Sequence, residues 1–244
     1  MLVEVNNLFF KMLNLVNEDK YQEVQDILES ILNNKSYLDK LTSDCWQFIG
    51  DISLAIGKFD LAGLAYDKAN NKPGIAFVLI LGGKLNEANN ILISSNKSSA
   101  ALWCNFLVDI FSEKWVVKQW PSFLVIRQFL EFTVYYLLLA KRTDFINLLL
   151  KKLNKLLDIN IDSEKLIGYA YFHFGEIDQS IEFLKNAIKR NRFDGEIYFV
   201  LGQIYLLKNT LYEALAMLEN AKLFLPHHLP TEELLEKIRI KVQD

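Results

Sequence analysis

The sequence predicts an all-α protein, an α-solenoid (superhelix) of stacked antiparallel helix pairs closed by a C-terminal capping helix. Three observations carry this. Proline and glycine are scarce, at 4 and 10 in 244 residues, while Leu, Ile, Glu and Lys fill long runs, as helical chains do. Two segments align without a gap: IGYAYFHFGEIDQSIEFLKNA at 167–187 and LGQIYLLKNTLYEALAMLENA at 201–221. Their glycines, Gly168 and Gly202, lie 34 residues apart, and a fixed period of that length marks helix–turn–helix units that stack. Finally, TEELLEKIRIKVQD at the end has the charge order and single apolar stripe of a helix that covers the last unit.

Taken in order, residues 5–34 form a first helical pair around NEDKY. The start of the chain has no basic region, long apolar core or small-residue cleavage site, so no signal peptide is expected. In 46–73, WQFIGDISLAIGKFDLAGLAYDKANNKP, Gly50 is the small residue of a first helix. Gly57 is the turn, and Ala62, Tyr66 and Ala69 mark a second helix before Pro73. The segment 74–92 keeps the turn and Ala88 with a short first helix, and 127–160 keeps the phase with Val134 in place of the glycine and Lys141 at the turn. In the 168 and 202 units, Gly175 and Asn209 take the turn, where either tolerates left-handed backbone. Trp120-Pro121-Ser122 marks another helix start, with proline in the first turn. In the tail, Thr231 is the expected cap, and Leu234, Leu235, Ile238 and Val242 form the stripe.

The units at 46–73, 167–187 and 201–226 resemble tetratricopeptide repeats (TPR). That family's pattern is a tryptophan, Leu-Gly and tyrosine in the first helix, then alanine, an aromatic and alanine in the second, and a closing proline. Trp46, Ile49-Gly50, Ala62, Tyr66, Ala69 and Pro73 match it, as do Leu201-Gly202, Tyr205, Ala214, Leu218, Ala221 and Pro226. Ser53 stands where tyrosine is usual, and Ser180 where alanine is. The expected organisation is helical pairs over 1–97, an irregular Trp-rich helical joint over 98–126, a repeat array over 127–230 and the capping helix over 231–244. In the joint, Trp103, Trp115 and Trp120 are either a partner-contacting insert or packing between two stacks.

Chemistry-bearing patterns are scarce. His173, His227 and His228 lack partners at metal-ligand spacing, so no metal is expected. Ile56-Gly57-Lys58 and Gly83-Lys84 lack the remaining elements of a phosphate loop, and no nucleophile elbow or HExxH occurs. No cofactor and no catalysis are expected. Cys45 and Cys104 read as buried free thiols of a reducing compartment, which points to the cytoplasm. The apolar run 122–140 has Arg127 and Glu131 near its middle, one turn apart and able to pair, so it reads as a buried helix with no membrane insertion. A net charge of −3 weighs against nucleic acid as the main partner. The basic stretches 151–155 and 185–192 keep a regulatory or nucleic-acid-associated alternative open.

What remains is a surface. The resemblance implies that first helices line a concave groove for a partner protein or peptide. Ile167, Gly168, Tyr171, Leu201, Gly202 and Tyr205 face the core of each pair. The opposite face of those helices carries Lys165, Tyr169, Phe172, His173, Phe199, Gln203 and Leu206, which read as a partner-binding groove for an apolar or amphipathic segment. The expected role is a non-catalytic scaffold or adaptor. A neighbouring turn of the superhelix, or a second copy in a homo-oligomer, is the other cover for this face. The inward lysines, asparagines and arginines with which one subgroup grips C-terminal carboxylates are missing at Asp44, Gln47, Phe48 and Asp51.

Overall fold

The computed structural model describes residues 2–95, 97–112, 120–153 and 162–243. These form fifteen helices and no strand among the described residues. The chain divides into two compact units, Met1–Trp120 and Pro121–Asp244.

The first unit contains α1 (Leu2–Asn17), α2 (Tyr21–Asn33), a one-turn α3 (Lys35–Leu38), α4 (Ser43–Ala55), α5 (Phe59–Lys68), α6 (Lys72–Leu81), α7 (Leu85–Ile93) and α8 (Ser99–Phe111). Side-chain oxygens of Thr42, Asn71 and Ser98 cap α4, α6 and α8 by accepting from the first-turn amides, which satisfies donors the helix itself cannot. Pro73, expected to close the 46–73 unit, lies in the first turn of α6 and opens the next pair instead. Phe9, Met12, Val24, Leu28, Ile31, Ile49 and Ile52 build the core of the first two pairs. Helix α8 falls within the segment expected to be a Trp-rich helical joint. It packs on α6 and α7 and buries Trp103 against Phe106. Trp120 lies 5.4 Å from the Phe106 ring and is partly exposed; Trp115 lies outside the described residues.

The second unit contains α9 (Phe123–Leu139), α10 (Thr143–Leu153), α11 (Ser163–Phe174), α12 (Ile177–Arg190), α13 (Gly195–Leu207), α14 (Leu211–Phe224) and α15 (Leu229–Gln243). Pro121 precedes α9 rather than entering it, because Ser122 is the cap and accepts from the Val125 amide. Helix α15 starts two residues before Thr231, whose buried hydroxyl pairs with His228 Nδ1 at 2.7 Å instead of capping. Leu235 and Ile238 are buried on Ala214 and Leu218 of α14, with Leu234 packed beside them; the Val242 side chain lies outside the described residues.

Two devices repeat along both units. Every turn within a pair contains one left-handed residue: Asp19, Gly57, Gly83, Lys141, Gly175 and Asn209. A helix that ends this way can reverse direction within a few residues. Lys141 holds this conformation although it has a Cβ. The second device is a glycine on the first helix that receives a large side chain sixteen residues later. A Cβ on Gly50 would lie 2.5 Å from the Tyr66 ring, one on Gly168 2.7 Å from Leu184, and one on Gly202 2.6 Å from Leu218. Ser180 adds a lock, because its buried hydroxyl donates to the Gly168 carbonyl at 2.8 Å. In α9 the equivalent residue is the buried Val134, and α9 touches α10 far less than α11 touches α12. There α9 packs mainly on α11 instead.

Candidate partner-binding face

The face opposite the glycine seam of α11 and α13 does not stand open along its length. Lys165, expected in the groove, is 5% exposed. Its ammonium donates to Asp194 Oδ2 at 2.8 Å and to Glu196 Oε2. Asp194 also caps α13 through the Glu196 amide, so one carboxylate ends a helix and anchors the preceding repeat. Burial alone would lower the Lys165 pKa, but the bonds and charges of Asp194 and Glu196 outweigh it and hold the ammonium above its usual value. Beside Lys165, the buried Glu164 pairs with Arg190 Nε at 3.0 Å. The basic run 185–192 therefore gives one of its two arginines to the fold, and Lys189 bonds Asn186 on its own helix.

Tyr169 is half-buried, its ring 5.7 Å from the Lys165 ammonium. With Phe172 it packs on Leu184, Ala187, Ile197, Leu201 and Ile204. The Tyr169 hydroxyl is buried and has no hydrogen-bond partner among the described residues. Burial first, and then the charges of Glu196, Asp194, Glu131 and Asp162, push its pKa well above the usual phenol value. His173 is mostly exposed and places Nδ1 3.1 Å from Glu131 Oε1 of α9. Glu131 thus turns to His173, while Arg127 lies 3.9 Å from Asp162. The pair expected within one helix is replaced by two links between segments. Phe199 and Leu206 pack on Leu218, Leu235 and Ile238, and Phe199 meets the His228 ring edge-on at 4.7 Å. Gln203 is half-buried.

Six of the seven expected residues therefore fall into two groups, with the half-buried Gln203 of α13 in neither. Lys165, Tyr169, Phe172 and His173 gather where α9, α11 and α13 approach. Phe199 and Leu206 belong to the cover that α15 places over the last pair. Four carboxylates of the first group, Glu131, Asp162, Asp194 and Glu196, were not anticipated. Asp162 and Asp194 had a local signal, an aspartate one residue before a helix start.

Residues 166–194 match the family model described as Tetratricopeptide repeat, a span that takes in most of α11, the Gly175 turn, α12 and the cap of α13. Over that span the chain is similar to tetratricopeptide repeats. Tyr169, Phe172, His173 and Asp194 lie within it, and such repeats generally mediate protein–protein interaction. Among solved structures, a tetratricopeptide repeat protein from Parabacteroides merdae ATCC 43184 aligns at 15% identity and TM-score 0.39, covering 96% of this chain and 98% of that one. The APC/C hetero-tetramer Cut9–Hcn1 aligns at 13% identity and TM-score 0.35, covering 93% of this chain and 48% of that one. No curated protein sequence matches the chain.

Among the described residues no three His, Cys, Asp or Glu side chains gather as a metal site, and no described helix is long and apolar enough to cross a membrane. Both cysteines are free and buried. Cys104 donates to the Pro73 carbonyl, and burial pushes its thiol up to about 12, so it is held in the unreactive form.

Proposed function

We propose that the protein is a non-catalytic scaffold or adaptor whose α9–α11–α13 face holds an apolar or amphipathic segment of a partner protein. The observation that carries this is the position of the matched repeat. It contains Tyr169, Phe172 and His173 on the face away from the glycine seam, and the half-buried Gln203 takes the Tyr169 position one 34-residue period later. Two buried free thiols support placing the protein in a reducing compartment, the cytoplasm. The nucleic-acid alternative draws less support from the 185–192 stretch, because one of its cations, Arg190, is paired with Glu164.

Serine at Tyr169 or Phe199 would remove core packing, so the face is better tested without truncation. A photo-crosslinking amino acid at Gln203 should capture a defined partner in the source cell, and one at the exposed Glu213 of α14 should not. Equal capture from both positions, or capture from Glu213 alone, refutes the reading.

A further inference from the structure

The chemistry around Tyr169 narrows the segment this face can receive. Carboxylates converge on it from three successive parts of the unit: Glu131 on α9, Asp162 before α11, and Asp194 and Glu196 at the start of α13. The fixed cations facing them are Lys165 and Arg127. Lys165 is buried and shared between two acids, so it neutralises the floor of the face and offers nothing to a ligand. Arg127 is half exposed and 3.9 Å from Asp162, a contact worth little in water. His173 adds charge only when protonated. Four acids thus stand against two cations and one histidine. Two of those acids remain reachable, with the Glu196 side chain 56% exposed and Glu131 32% exposed. Between them lie the partly exposed rings of Tyr169 and Phe172. Apolar walls of low dielectric concentrate the field of such acids at the surface.

We propose, resting on the reading of this face as a partner-binding groove, that its occupant is a cationic amphipathic segment of another protein. Its apolar side lies on Phe172 and Tyr169, and its lysines or arginines reach Glu131 and Glu196. An acidic or phosphate-bearing occupant meets like charge here, which an interface avoids.

The test is selection of binders from a phage-displayed random peptide library on the full chain, followed by affinity measurement on Glu131→Gln/Glu196→Gln and on Gln203→Arg. Thermal unfolding checks that both variants stay folded. Selected peptides should carry an excess of Lys and Arg together with aliphatic or aromatic residues. Binding should weaken about 2- to 30-fold on the double variant, as loss of two exposed charge contacts predicts, and should fall as salt is raised. Binders without a cationic excess, or indifferent to the double variant, overturn the charge assignment. If such binders are lost on Gln203→Arg, the groove itself stands. An absence of binders, or binders unaffected by Gln203→Arg, overturns both. Self-association of the chain in sedimentation, abolished by Gln203→Arg, makes a second copy the occupant and also overturns the proposal.

Discussion

Alanine at Gly202 should destabilise the protein although alanine is the better helix former. In an open helix interior the change gains about 1 kcal/mol. Here the added Cβ would sit 2.6 Å from Leu218 Cγ and 2.7 Å from Cδ2, about 0.8 Å inside the 3.4 Å where ordinary contact begins. Leu218 is fully buried beneath α15, so it has nowhere to retreat without moving α14. Overpacking of this kind costs about 1 to 3 kcal/mol, and the sum is a net loss of about 1 kcal/mol. Gly63 on α5 is the internal control. Its Cβ would meet only Val78 Cγ1 at an ordinary 3.6 Å, so Gly63→Ala should gain about 1 kcal/mol. A third variant isolates the cause. In a Leu218→Ala background the clashing atoms are gone, and Gly202→Ala should become stabilising. Urea unfolding followed by far-ultraviolet circular dichroism measures all of these. Tryptophan fluorescence follows the first unit separately, because all four tryptophans precede Pro121. A Gly202→Ala protein as stabilised as Gly63→Ala, or the same sign with and without Leu218, would refute the close-approach argument.

Four further outcomes follow from other positions. Lys141→Gly should stabilise by about 1 kcal/mol, since it relieves a left-handed residue bearing a Cβ; Gly175→Ala should lose a similar amount with no clash, as nothing lies within 4 Å of the new methyl. Ser53→Ala should be neutral to about 1 kcal/mol stabilising in the same unfolding assay, because the buried Ser53 hydroxyl has no hydrogen-bond partner among the described residues. His173 should titrate by NMR above the usual histidine value, since its bond to Glu131 raises it, and Glu131→Gln should bring it down. A folded-state pKa above the unfolded one contributes stability that is complete below about pH 6.5 and lost as pH rises through the folded value.

The scaffold was legible because its rules are local and recur. Gly50, Gly168 and Gly202, each with its large partner sixteen residues on, are found by laying the sequence over itself. The Gly175 and Asn209 turns emerge the same way. Lys141 was harder: its residue type argues against a left-handed turn, and only the spacing of the helices imposes one. The bounds of α8 were harder to read for a different reason. A run of apolar residues from Ala100 to Phe111 carries no small-residue phase, so periodicity could not place it, although Ser98 caps it in the ordinary way.

The face obeys the opposite rule. One repeat position holds Glu131, then Lys165, then Phe199 in successive units, and another holds Tyr135, Tyr169 and Gln203. A packing position must keep its size from unit to unit, because each pair covers the next. A position free of that duty can change charge and shape, and these do. Lys165 then shows why spacing within one helix misjudged it. It lies on the outward stripe of α11, yet Asp194 and Glu196, 29 and 31 residues later, draw it inward. Self-comparison detects what the units share, whereas the ion cluster exists because neighbouring units differ. The acidic character of the face therefore belongs to the junction of α9, α11 and α13, and no single repeat contains it.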